Sequence, residues 1–357
     1  MTGLDEGYRF RIGADENGLG PRLGPMVVTA VLARVTDAGW NVIGKPARGK
    51  LAERLGDSKQ LVSHGNVALG EAWARALARR GAGRTPYTNG PPDELLHAIS
   101  ADDRQALRAP CPSHVEAQCW SAAGEELLAD DEMVRIAEQD LDSLEQKGVT
   151  ILGVRSVVLC ARRMNEGLDA GKNRFVLDLN SMERLILELR AIAGEDVTAV
   201  CGKVGGFGKY GGAFGPLAGR LHSVIEEGRP RSAYHFPGVG EIAFVRDSDA
   251  SDLCVAMASL VGKYVREALM ARVVRFYRGE LPDLPDASGY YDPVTTTFIE
   301  GARLLRGKRA IPDICFERRG AAEAAAPPPE DPAKNKAPAK NKAPAKNKAP
   351  AKNKAAQ

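Results

Sequence analysis

From Ile12 to Pro25 the chain reads IGADENGLGPRLGP: an apolar run meets two adjacent acids and then a turn holding three glycines and two prolines. Tyr8 to Ala14 alternates into Ile12 and predicts a strand, and the β-branched Met26 to Val35 predicts its hairpin partner. Asp15 and Glu16 therefore fall at a strand end. Side chains alternate across a strand, so the two acids serve one site only if the chain leaves regular geometry there, which Gly18, Gly20 and Gly24 permit. A bare Asp-Glu pair is most often a solvated turn. The glycine spacing moves the balance towards a metal site.

The turn resembles the DEaGRGPlaGP turn of the type 2 ribonucleases H, with Asp15, Glu16, Gly18, Gly20, Pro21, Gly24 and Pro25 in register. In that family the Asp and Glu are metal ligands, and the Gly-Arg-Gly backbone holds the nucleic acid at a ribonucleotide. Leu19 stands where the family has Arg; the sister type 3 enzymes have a small residue there. Further segments follow in the family's order. Asp57-Ser58-Lys59-Gln60-Leu61 is similar to its DSKkL helix start, whose lysine approaches a substrate phosphate. Asp178, in RFVLDLNSM at the end of what reads as a buried strand, resembles the third acid, with a helical pattern from Met182 to Ile192 after it. DSDASDLCVAMASLVGKYVREALM resembles the family's GD-x-AASI-x-AKV-x-RD helix, and counting back from Ser259 selects Asp249 as the fourth acid, with Asp247 and Asp252 as close rivals. Ser288-Gly289-Tyr290 with Asp292-Pro293 and Thr295 resembles the SGYPSDP-x-T run, in which the tyrosine ring packs against the sugar; a turn aromatic covering a core edge is the alternative for Tyr290.

Four carboxylates without zinc-type ligands make a hard-oxygen set suited to Mg²⁺ or Mn²⁺. Two such ions about 3.5–4 Å apart activate a water on one side of a phosphodiester and stabilise the leaving oxygen on the other, giving 5′-phosphate and 3′-hydroxyl ends. The resemblance implies Asp15 and Asp249 on one ion with help from Glu16, and Asp178 bridging or on the second. It also implies Gly18, Leu19, Gly20, Lys59 and Tyr290 as substrate contacts. The five histidines form no metal-binding spacing.

The composition, 44% hydrophobic and 27% charged over 357 residues, predicts a soluble, cytoplasmic protein with no membrane span, and the expected state is a monomer. Six cysteines without C-x-x-C spacing indicate neither a zinc ribbon nor a disulfide framework, leaving buried free thiols as the ordinary reading. The expected organisation is a catalytic domain over 1–320, interrupted at 62–150 by an enlarged insert in which Glu71 to Arg80 and Gly124 to Gln146 have helical spacing, covering the sheet or forming a lid. A glycine cluster from Gly202 to Pro216, with Gly206, Gly208 and Gly211 spaced as in a dinucleotide turn, comes too late for a first βαβ unit; it predicts a mobile loop whose Lys203 and Lys209 approach phosphate, or a long connection. From Ala333 the hexamer AKNKAP repeats, and eight lysines against Asp331 give the tail about +7 out of a total of +3, leaving residues 1–330 near −4. Residues 321–357 thus predict a disordered arm that attracts nucleic acid.

Together these readings predict an α/β, ribonuclease H-like fold with a central mixed sheet flanked by helices. The predicted activity is endonucleolytic cleavage of the RNA strand in RNA:DNA hybrids, extending to ribonucleotide-containing duplex DNA. The alternative is a non-catalytic nucleic-acid-binding relative of the same fold.

Overall fold

The computed structural model describes residues 7–81, 86–115, 118–205 and 207–320; the lysine-rich tail and Gly206 lie outside the described residues. In chain order the elements are β1 (Tyr8–Asn17), β2 (Met26–Thr36), α1 (Asp37–Ile43), α2 (Ser58–Leu61), α3 (Ala68–Ala78), α4 (Pro92–Ile99), α5 (Arg104–Arg108), α6 (Asp131–Glu145), β3 (Val149–Leu159), α7 (Ala161–Asp169), α8 (Arg174–Ala193), β4 (Val197–Gly202), β5 (Ser223–Glu227), β6 (Arg231–Phe236), β7 (Gly240–Val245), α9 (Leu253–Arg278) and α10 (Pro293–Lys308).

The strands form one mixed seven-stranded sheet in the order β3-β2-β1-β4-β7-β6-β5. β1 to β3 are an antiparallel meander, and β4 and β7 are added parallel to β1 on its other side. This is the α/β arrangement with a central mixed sheet and flanking helices expected from the sequence, with the β5–β6 hairpin at one edge.

Alternation along β2 divides the core. Val27, Val31 and Val35 face α9 and the helices α3, α4 and α6, while Val28, Ala30 and Leu32 face α8 with Phe10, Ile12 and Ala14 of β1. α9 lies so close on β1 that a β-carbon at Gly13 would sit 2.3 Å from the Cys254 backbone. In the 62–150 segment α3 and α6 fall on the two stretches with helical spacing, the second starting only at Asp131, while α4 and α5 were not expected; Trp73, Leu77, Leu95, Ile99 and Leu141 share one core with β2, β3 and α9 and cover the sheet. Burying five such side chains contributes on the order of 10 kcal/mol of hydrophobic stabilisation.

Two expectations are corrected. RFVLDLNSM is the start of the 20-residue helix α8, because Phe175, Leu179, Met182, Ile186 and Leu189 recur at helical spacing and Asn173 caps the first turn, accepting from the amides of Phe175 and Val176 at 3.0 Å. The stretch from Lys203 to Pro216 is the long connection of the second reading, and Lys203 is engaged within the fold rather than free for phosphate: it donates to the Gly228 carbonyl at 2.7 Å and to the Ser232 hydroxyl at 3.1 Å, and Tyr210 stacks on Phe244 with centroids 4.0 Å apart. Lys209 pairs with Glu227 at 3.3 Å. Among the described residues no helix is long and apolar enough to cross a membrane.

Candidate active site

Strand pairing continues past the acids, with Asp15 opposite Thr29 and Glu16 opposite Val28. The chain thus keeps regular geometry at the point where the sequence reading needed it to break, and the two acids look to opposite faces of the sheet. Asp15 points with Gly13 and Asn17 towards α9, where the Ser259 hydroxyl bonds it and Asn17 Nδ2 donates to the Ser259 carbonyl at 3.1 Å. Glu16 points with Ile12 and Ala14 towards α8.

Each face supplies a second carboxylate. On the α9 face Asp249, in the short turn Ser248–Ala250, couples electrostatically to Asp15. Its rivals are occupied otherwise. Asp252 caps α9 through the Val255 amide and is paired with Arg11 at 2.5 Å, and Asp247 sits exposed at φ +51°. On the α8 face stands Asp178, fully buried, with neither carboxylate oxygen finding a hydrogen-bond partner among the described residues. It couples first to Glu16 and then to Asp15.

The electrostatics follow from crowding like charges in a dry place. Burial and then Glu16 and Asp249 push the Asp15 carboxyl up to about 8, against the pull of the Ser259 hydroxyl. Burial, Glu16 and Asp15 hold Asp178 well above the usual carboxylate range. Burial raises Glu16, opposed by the Leu19 amide and by Lys59 and Arg318, and burial with Asp57 raises Asp249, opposed by Lys59. Lys59 lies in α2 beside both faces' acids. The Asp57 cap of that helix accepts the Lys59 amide at 3.0 Å, and Ser58 is bonded to Ser259 of α9 at 2.9 Å.

The glycine turn is held from behind. Gly18 adopts φ +88°, a conformation that favours glycine, and its carbonyl accepts Arg318 Nη1 at 2.6 Å; Arg318 Nε reaches the Gly24 carbonyl at 2.8 Å. The Leu19 carbonyl accepts from Arg174 at 3.1 Å, and its amide is taken by the Glu16 carboxylate. Gly20 is exposed. The Ser288–Tyr290 run docks on the same turn, the Gly289 carbonyl accepting the amides of Arg22 and Leu23 at 2.8 and 3.0 Å. Tyr290 is part-exposed with its ring over Arg266 at 4.7 Å and Lys263 at 5.7 Å. Arg318, Arg174 and Ser259 were not picked as site residues from sequence. No motif marks the two arginines, whereas Ser259 sits inside the helix segment already used to locate Asp249.

The donor set consists of hard oxygens, and the buried Asp178 carboxylate and the raised Asp15 are groups whose charge a divalent cation would offset; in donor chemistry the set fits Mg²⁺ or Mn²⁺. In spacing it does not form a shared cage. Among the described residues no three His, Cys, Asp or Glu side chains converge as ligands of one ion. The alternation of β1 is the reason, since it parts the acids into Asp15 with Asp249 and Glu16 with Asp178. The end of β4, beside Ala14 in the sheet, carries Cys201 and Gly202, with no acid.

No family model and no curated protein matches the chain. Among solved structures it is similar to Bst-RNase HIII in complex with Mn²⁺, at 16% identity over 88% of this chain and 67% of that one, with a TM-score of 0.41. It is also similar to the RNase HII of Archaeoglobus fulgidus in its complex with PCNA, at 16% identity over 87% and 94% with a TM-score of 0.39. A third similar structure is the ribonuclease H2 of Pyrococcus horikoshii, at 13% identity over 86% and 92% with a TM-score of 0.37.

Proposed function

We propose that the chain is a metal-dependent endonuclease that hydrolyses the RNA strand of RNA:DNA hybrids, acting through Asp15, Glu16, Asp178 and Asp249. The observation that carries this reading is the end of β1, where two pairs of carboxylates, one on each face of the sheet, flank a glycine turn braced by three other segments, with Lys59 alongside. Carboxylates facing a polyanion repel it unless a cation intervenes. Asp15 and Asp249 would hold one divalent ion and Glu16 and Asp178 would contribute on the other face. The chemistry such an ion supplies is neutralisation of phosphate charge and a nucleophilic water at neutral pH.

The chain's own groups bind and orient. Lys59 meets a backbone phosphate, the exposed Gly20 lets the nucleic acid approach the turn closely, and Tyr290 lies against a sugar. Discrimination of RNA from DNA rests on the 2′-hydroxyl and the A-form groove. Because Leu19 provides no guanidinium, runs of ribonucleotides are the favoured substrate over a single embedded one. The basic tail adds salt-dependent attraction to nucleic acid. The protein acts as a monomer in the cytoplasm.

A second reading, a nucleic-acid-binding relative without catalysis, is favoured by the separated acids and by Cys201 at the end of β4. End-labelled duplexes bearing one ribonucleotide or a run of several, incubated with Mg²⁺ or Mn²⁺ beside an Asp15→Asn control, decide between them. Cutting that the control lacks supports the nuclease, and binding without cutting sinks it.

A further inference from the structure

Arg318 is almost entirely buried, yet the groups it touches bring no charge to match its own. Its Nε and Nη1 donate to the neutral carbonyls of Gly24 and Gly18, and among the described residues no carboxylate pairs with it. Glu16 acts on it only behind Arg266, Arg174 and Tyr290. Its Nη2 is buried with no hydrogen-bond partner among the described residues. A guanidinium taken out of water without a counter-ion is costly, and an orphaned buried N–H in a folded protein points to a bound water or ion.

A small cavity lies beside this arginine. Its walls are Arg318, Arg319 and Arg174 with the apolar Met164, Leu168 and Leu177, and its volume of about 10 Å³ holds one water-sized body. Arg174, the first residue of α8, bonds the neutral Leu19 carbonyl and likewise pairs with no carboxylate among the described residues. Arg319 is matched by Asp169 at 2.7 Å, which leaves the other two charges standing. Leu177 brings the first turn of α8 to the same wall, and the dipole of that helix favours negative charge there. Burial, then Arg266 and Arg174, lower the Arg318 guanidinium to about 9, so it is still charged at neutral pH.

We propose that this cavity binds a monatomic anion of the halide class, held by Arg174 and the unpartnered Nη2 of Arg318. A space of this size excludes tetrahedral oxyanions such as sulfate and phosphate. The guanidinium is weakly hydrated and the remaining walls are apolar, so chloride and bromide are favoured over the strongly hydrated fluoride. The ion offsets the charge of the two guanidiniums, while the glycine turn keeps its geometry from the hydrogen bonds it already has.

The test is thermal unfolding of the full-length, metal-free protein at neutral pH in sodium gluconate, with chloride or bromide exchanged in at constant ionic strength. Both halides are expected to raise the midpoint to a plateau, as a ligand of the native state does, while fluoride and sulfate leave it unchanged. Arg174→Met, at a half-buried position, should need about tenfold more chloride for the same effect, the worth of one charge-assisted contact. Arg318→Met should lose the response altogether, whereas Lys59→Met should keep it. Crystals soaked in bromide should show an anomalous peak between Arg174 and Arg318. A midpoint that follows ionic strength whatever the anion, a wild-type response in Arg174→Met, or water in the cavity in place of bromide would each overturn the site. None of these outcomes depends on nuclease activity.

Discussion

The Gly18 and Gly24 carbonyls are answered by the Arg318 guanidinium, while on α8 the two oxygens of Asp178 find no hydrogen-bond partner among the described residues. The turn is braced by Arg318, Arg174 and Gly289, and its geometry is set by the protein alone. The acids are the reverse, two pairs on opposite faces of the sheet, placed by β1, α8 and the turn before α9 at an electrostatic penalty that folding has to carry. A protein that needs only a surface for nucleic acid has no use for that penalty. On the proposed function the turn supplies shape and the acids chemistry, and that division breaks if either region proves dispensable for its role.

The largest effect is expected at Asp15. Asp15→Asn keeps the shape and the Ser259 contact but removes the charge, so cleavage should fall on the order of 10³-fold or more while duplex binding at the turn is retained. Retained cleavage, measured in single-turnover assays, would place the chemistry elsewhere. Arg318→Met comes next, because it strands the Gly18 and Gly24 carbonyls in a buried place. A loss on the order of 2–4 kcal/mol in denaturant unfolding is expected, with cleavage impaired through weaker substrate binding. An unchanged unfolding midpoint would mean that the turn braces itself.

How much of this was legible in the sequence depended on whether the signal was local. The β1–β2 hairpin, the glycine turn and the Asp57 cap declare themselves over a few residues, and the structure has them where the pattern says. Asp178 was taken for a strand residue because FVL reads equally as a buried strand or a buried helix turn, and only the longer recurrence to Leu189, with the Asn173 cap, separates the two. The partition of the acids between two sheet faces follows from alternation alone, yet the glycines invited the assumption that the strand had ended. Arg318 and the cavity it shares with Arg174 depend on contacts between segments far apart in the chain, for which spacing offers no sign.

Asp178 provides a smaller effect that tests the acids' side of the comparison. Its folded-state carboxyl is raised by burial and by Glu16 and Asp15, so the folded protein holds the proton that the unfolded chain gives up near pH 4. Stability from this group is therefore full below that pH and drains away as pH rises towards the folded-state value, the opposite of a salt-bridged acid. Asp178→Asn imitates the protonated form. In metal-free protein it should leave stability unchanged at pH 4 and add on the order of 1–2 kcal/mol at alkaline pH. Saturating Mn²⁺ should stabilise wild type more than the variant, since an ion bound at the site stabilises the native state. A pH-independent difference in thermal unfolding would show that Asp178 is already satisfied.

Leu19→Arg should have the smallest effect, and the reason lies on the turn's side. The position matches an arginine in the resembling family, which argues that restoring it would sharpen incision at a single embedded ribonucleotide. The structure already brings Arg174 to the Leu19 carbonyl and Arg318 to the Gly18 carbonyl, with Arg266 pressing on Arg318 strongly enough that burial and this crowding lower the Arg318 guanidinium to about 9. A third guanidinium enters a region of like charge, and an exposed charge adds little against that repulsion. The ratio of cleavage on single-ribonucleotide and ribonucleotide-run duplexes should shift by less than about threefold. A shift of tenfold or more would mean that the side chain at this one position, rather than the bracing around it, chooses the substrate.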